Sequence, residues 1–214
     1  MSSTNRGAER READHYPTPE GVTRDLIRRC AALREQPIGS RWCEPACGEG
    51  AIVRGVEAER PGAQRWSLVE LRAGVASATC TALLASGPRV ELAVEGDALR
   101  LAPAGLDAYI TNPPYVHAEA FVRRLRALAG DRGVVALLLR LGFFGSLERM
   151  ALWRDVGVPD AYVVVPRPPF SVDKHGRLGT DSCEYAWFVW APGVTGRVHP
   201  PDRPWREGRA RRGS

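Results

Sequence analysis

"RWCEPACGEGAIVRGVEAE", residues 41–59, changes its periodicity in the middle. Arg41 to Pro45 fit a short strand. Gly48 and Gly50 then allow the backbone a sharp turn, and Ala51 to Glu59 read as a helix. A strand that passes through a glycine-bearing loop into a helix is the opening of a β–α–β unit, and such units build parallel sheets covered on both faces.

The alternation continues in both directions. Upstream, Thr18 can cap a helix with Pro19 at its first position, and Val22, Leu26, Cys30 and Leu33 form one apolar face. Downstream, "RWSLVE" (65–70) reads as the second strand, and residues 72–86 as a helix stopped by Gly87-Pro88. "VELAVEG" (90–96) and "LDAYIT" (106–111) are the next two strands. Phe121, Leu125 and Leu128 mark another helix, and "GVVALLLRL" (133–141) is a fully buried strand. A short helix around 146–155, then "AYVVVP" (161–166) and "EYAWFVW" (184–190), complete the pattern.

A chain of 214 residues has room for one such α/β domain. Its apolar runs, Val134 to Leu139 among them, are far too short to span a bilayer. "MSSTNRGAERREAD" (1–14) has no apolar centre, so it reads as a disordered tail rather than a secretory signal. A cytoplasmic location is therefore expected, with the five cysteines as reduced thiols. Cys43 and Cys47 lack a second ligand pair at zinc spacing, so no metal is expected. From residue 193 the chain turns rich in Gly, Pro and Arg and reads as a flexible basic tail to 214. Net charge is +5, and all but one of the 30 basic residues are arginine, a balance that permits contact with a polyanion.

In a doubly wound sheet, ligands sit beyond the carboxyl ends of the strands. The first strand end is "EPACGEG" (44–50), where Gly48 and Gly50 let backbone approach a ligand at a helix start. A dinucleotide site would have a third glycine where this chain has Val53, and the P-loop lysine is missing. Glu44 and Glu49 would repel a pyrophosphate and suit a ligand with positive charge. The second strand ends at Glu70, twenty residues after Gly50, where an acid can accept both hydroxyls of a ribose. The third leads to Asp97, which can accept from an adenine amine and is equally a turn residue when taken alone. Three acids at three successive strand ends describe a pocket for an adenosine with a cationic substituent. S-adenosyl-L-methionine is that molecule.

The fourth strand end is "ITNPPYVH" (110–117). Asn112 and Pro113 both precede a proline, which drives them out of the helical region and leaves the loop extended. The Asn112 side-chain oxygen and the Pro113 carbonyl are then two fixed acceptors, suited to the two protons of an exocyclic NH2. Hydrogen bonds to both protons favour a pyramidal nitrogen and free its lone pair for in-line attack on a methyl sulfonium. Tyr115 would stack on the target ring. The alternative is a rigid Asn-Pro turn with a packing tyrosine.

These residues resemble the class I S-adenosylmethionine-dependent methyltransferases, specifically the adenine-N6 DNA methyltransferases, including small phage-type ones. "YPTP" (16–19) is similar to their motif before the first helix and implies that Tyr16 and Thr18 face the methionine part of the cofactor. By the same resemblance Glu44, Pro45, Ala46, Gly48 and Gly50 form the cofactor loop, and Glu70 with Leu71 and Asp97 with Ala98 hold the adenosine. Asn112, Pro113, Pro114 and Tyr115 match the catalytic loop. "RPPF" (167–170) with "DSCEYAWFVW" (181–190) is similar to the end of phage-type members, and the similarity covers about residues 15–191. It implies a doubly wound, mostly parallel seven-stranded sheet with one antiparallel strand, in a single domain over 15–192. It also implies S-adenosyl-L-methionine as cofactor, DNA as partner and methyl transfer to adenine N6. The Asn-Pro-Pro-Tyr loop is shared by enzymes that methylate cytosine-N4, some RNA bases and protein glutamine, so these stay open, as does a nucleic-acid-binding module without turnover. There is no room for a large target-recognition domain. Only the loop 167–183 is long enough to face a substrate, and Arg167, Phe170, Lys174, His175 and Arg177 would supply its phosphate contacts and stacking. An adenine in a duplex would have to be flipped towards Tyr115.

Overall fold

A computed structural model describes residues 18–165, 183–194 and 196–199, and the backbone of 171–172 and 178–179. Helices α1 (Glu20–Arg29) and α2 (Ala31–Arg34) precede β1 (Ser40–Glu44), α3 (Ala51–Glu57), β2 (Gln64–Glu70), α4 (Val75–Ser86) and β3 (Arg89–Glu95). Then come α5 (Ala98–Leu101), β4 (Ala108–Thr111), α6 (Ala118–Ala129), β5 (Val134–Arg140), α7 (Met150–Val156) and β6 (Ala161–Val165). A small hairpin, β7 (Ser171–Val172) with β8 (Leu178–Gly179), leads to β9 (Tyr185–Trp190) and β10 (Arg197–His199).

The main sheet runs β10-β6-β9-β5-β4-β1-β2-β3. Its strands are parallel to their neighbours except β9, which is antiparallel to both β5 and β6. The seven expected strands are all present. The eighth, β10, pairs parallel with β6 from Arg197 opposite Ala161. It lies in the stretch read as a flexible tail, because three residues between turn formers carry no measurable alternation.

Each face of the sheet has its own core, and β5 shows the division. Val134, Ala136 and Leu138 point into one cluster, with Val22 and Leu26 of α1, Val53 of α3 and Leu83 of α4. Val135, Leu137 and Leu139 point into the other, with Phe121 and Leu125 of α6 and Leu152 of α7. A strand buried on both sides has no polar face to alternate with, which is why its sequence is continuously apolar. The apolar stripe expected on the first helix is buried from Val22 to Leu33. The helix itself starts at Glu20, takes no side-chain cap, and breaks at Cys30, where φ −103° and ψ 99° separate α1 from α2.

From β1 the chain builds outward through β2 to β3, then returns to place β4 on the other side of β1. The strand order reverses there, so the loops after β1 and β4 diverge and leave a crevice between them.

Candidate active site

A cavity of about 340 Å3 opens at that crevice. Glu44, Pro45, Ala46 and Gly48 line it from the loop after β1, Glu70 and Leu71 from the end of β2, and Asp97 and Ala98 from the end of β3. Asn112, Pro113 and Pro114 line it after β4, and Thr18 closes it from before α1. Four strand ends thus bring most of the sequence-predicted residues to one place. Tyr16, Arg167, Phe170, Lys174, His175 and Arg177 lie outside the described residues.

Two of the expected residues lie off this cavity. Gly50 does not line the cavity; at φ 75° it starts α3, and a Cβ there would meet Thr79 Cγ2 at 2.9 Å. Its part is conformational: it lets the loop turn against α4. The buried Thr79 hydroxyl also donates to the Gly48 carbonyl at 2.7 Å, so α4 pins the loop from behind. Tyr115 lines an adjoining cavity instead, where the Arg140 guanidinium lies 5.1 Å from its ring centroid.

The bend itself explains that split. Pro114 is extended at φ −54° and ψ 120°, and its carbonyl accepts from the His117 amide at 2.9 Å, closing a single turn over Tyr115–His117. The extended part leaves Asn112 and Pro113 at the wall of the first cavity, and the turn carries Tyr115 past it. His117 both lines the cavity and sits at the start of α6.

The carboxylates divide by their partners. Glu70 accepts from the Gly48 amide at 2.8 Å, from the Arg72 amide at 3.1 Å and from Arg72 Nε at 3.0 Å. Burial pushes its carboxyl up, but these hydrogen bonds outweigh it and hold Glu70 below the usual carboxylate range. Glu44 is 2% exposed, and its Oε2 has no hydrogen-bond partner. Burial pushes its carboxyl well above the usual range, against a backbone hydrogen bond from Val53, and the Glu70 charge adds to the rise. Asp97 caps α5 by accepting from the Leu99 amide at 2.9 Å through Oδ1, while its side chain stays 46% exposed. It is a turn residue that also lines the cavity.

Sequence reasoning leaves out Arg72, Leu99 and Phe121, which also line the cavity. Arg72 follows Glu70 by two residues in the bend after β2, and its amide and side chain both turn back onto that carboxylate. Phe121 was read only as marking a helix, and it is both core and wall. Cys47 lines the cavity too, and burial, with Glu44 and Glu70 nearby, pushes its thiol well up, the opposite of an activated nucleophile. Cys43 is buried in the core with its thiol likewise pushed up by burial.

No protein-family model matches the chain, and no curated protein matches it. Solved structures do. A protein of Listeria monocytogenes assigned to the class I S-adenosylmethionine-dependent methyltransferases superposes with a TM-score of 0.66 at 14% identity, over 92% of this chain and 66% of its own. The methyltransferase subunit of a type I restriction-modification system from Streptococcus thermophilus gives 0.65 at 18% identity, over 84% of this chain and 45% of its own. The fold is that of the class I methyltransferases. A Pyrococcus horikoshii protein assigned as an RNA methyltransferase shares this methyltransferase fold, with a TM-score of 0.60 at 17% identity over 90% of this chain and 94% of its own. The chain thus spans about two thirds of the Listeria protein and under half of the Streptococcus subunit. Among the described residues no helix is long and apolar enough to cross a membrane.

Proposed function

We propose that this protein binds S-adenosyl-L-methionine and transfers its methyl group to the exocyclic N6 amine of adenine in DNA. The observation that supports the reading most is the shared wall: Asn112 and Pro113 line the same cavity as Glu44, Glu70 and Asp97.

The cavity suits such a cofactor. Its volume of about 340 Å3 falls within the range of small-molecule sites. Buried Glu44 keeps an oxygen without a partner, a place for a positively charged or donating group. Glu70, held ionised, would accept the ribose hydroxyls. Asp97, whose Oδ2 faces Arg100 Nε at 3.7 Å on an open side of the cavity, would accept from the adenine amine beside the 68% exposed Leu71 and the chain at Ala98. Thr18 and the Pro45–Gly48 backbone would enclose the methionine end. When bound, the sulfonium supplies an electrophilic methyl group.

The remaining work falls to the bend. The Asn112 side-chain oxygen and the Pro113 carbonyl would each accept one proton of the target amine and turn its lone pair towards the methyl group. Tyr115, one turn further, would stack on the ring that carries the amine. As the carbon–nitrogen bond formed, the methyl group would part from sulfur, and the surplus proton on nitrogen would pass to water. No side chain of shifted pKa is needed as a base; orientation and hydrogen bonding supply the acceleration.

The test is to incubate the protein with labelled methyl donor and, separately, duplex DNA, single-stranded DNA, RNA and protein, then to digest each and identify the labelled unit. Label in N6-methyladenine from DNA is expected. Label in cytosine, in RNA or in protein glutamine would overturn the assignment of the acceptor, and no label in any would overturn the enzyme reading.

A further inference from the structure

Beyond the bend, a second cavity of about 430 Å3 opens where β5 ends and β9 begins. Tyr115, Arg140, Phe143, Arg149 and Glu184 line it. Among the described residues two guanidinium groups stand against one carboxylate in this lining, a net positive balance.

Arg149 is the distinctive member. It is half-buried, its guanidinium sits 4.2 Å from the Phe143 ring centroid, and its Nη1 donates to the Phe143 carbonyl at 3.3 Å. Among the described residues no carboxylate forms an ion pair with it. A solvated surface arginine swings freely; this one is fixed by a ring and a carbonyl at the lip of a cavity, with most of its N–H donors left over. The chain on either side of these lining residues exposes large apolar groups: Val116 at 70%, Phe144 at 41%, Leu147 at 82% and Met150 at 46%. Fixed cationic donors interleaved with exposed apolar side chains suit a strand that offers phosphates and ring faces in alternation. A neutral glutamine amide on a peptide brings no anion to match Arg149.

We propose that this second cavity holds the DNA strand beside the target base, with Arg149 donating to a backbone phosphate and Leu147 and Met150 packing against sugars and bases. The proposal rests on the acceptor reading above, since it assigns the strand that presents the adenine. Arg149 is a binding residue that sets the register of the strand and carries no base information.

The experiment measures the affinity of the full chain for a fluorescein-labelled single-stranded DNA 20-mer by anisotropy, without methyl donor, across a range of salt. Arg149→Gln should bind about tenfold more weakly at low salt, the cost of one charge-assisted hydrogen-bonded contact. Its slope of log affinity against log salt should fall by about 0.7, one phosphate on single-stranded DNA. The loss should be equal on scrambled sequences, and Arg149→Lys should restore the slope. Arg132→Gln, at an exposed residue before the opposite end of β5, should leave the slope as in the wild type. Leu147→Asp, at a side chain already exposed and so harmless to folding, should weaken binding several-fold. An unchanged slope for Arg149→Gln, unchanged affinity for Leu147→Asp, or tighter binding of RNA of the same sequence would overturn the proposal. A protein that grips DNA this way yet transfers no methyl group refutes the enzyme reading alone; intact methylation with an unaffected Arg149→Gln refutes this one alone.

Discussion

Glu70 keeps its charge because three N–H groups from Gly48 and Arg72 point at it, whereas Glu44, at the end of the neighbouring strand, lies buried with one oxygen unserved. The two glutamates therefore respond to pH in opposite senses. A carboxyl raised above its ordinary value of 4.5 binds its proton more tightly folded than unfolded, so the stability Glu44 contributes is present at low pH and is lost as pH rises through the raised value. Glu44→Gln, neutral throughout, should melt progressively higher than the wild type as pH climbs from that ordinary range. Paired thermal scans check this, and a gap that does not widen with pH would refute the assignment. In the proposed reaction Asn112 would act on the acceptor amine, so Asn112→Ala should abolish turnover while cofactor binding survives in calorimetry; equal loss of both would mean a structural role. Asn112 was legible because the residue before a proline is constrained locally, with no help from the fold. Thr79 was not, because its hydroxyl meets Gly48 from a helix 31 residues away in sequence.

At the scale of the element, the packing of α1 on α3 shows what spacing alone conceals. Gly55 lies in the middle of α3, where glycine weakens a helix by about 1 kcal/mol. A Cβ there would lie 2.7 Å from Thr23 Cβ and 2.9 Å from the Glu20 carbonyl, so α1 comes too close for any side chain. The helix gives up propensity and gains contact, which Arg54–Glu20 and Arg24–Glu59 ion pairs flank. Gly55→Ala, which would help an isolated helix, should here destabilise by about 1–3 kcal/mol through overpacking. The melting temperature should fall by about 2–4 °C per kcal/mol; an unchanged or raised value would show that the helices separate freely. Elements buried on both faces, β5 and β9 above all, were legible from their unbroken apolar runs. The break at Cys30 was not, because the apolar stripe continues across it unchanged.

At the scale of the whole molecule, the main sheet has two halves, and each borders its own cavity. The half β1-β2-β3 with β4 builds the first cavity, and its acids were readable because each stands at the end of a strand. The second cavity needs Arg140 and Cys183 brought together by antiparallel pairing of β5 with β9, a closure that no local pattern announces. At the far edge, β10 covers β6 over three residue pairs. Ending the chain at Val194 should bare that edge, lower the melting temperature by a few degrees and promote association, since an uncovered strand recruits another. Calorimetry with light scattering reads both effects, and a truncated chain that melts and stays monomeric like the intact one would show β10 to be dispensable.

The position of β9 also orders events in time. It slots between β5 and β6, which are both made before it. On the ribosome the growing polypeptide must hold those two strands apart until residues 185–190 emerge, and a premature embrace of β5 by β6 would have to be undone. The cavity between the ends of β1 and β4 can therefore mature early in synthesis, while the second cavity waits for β9.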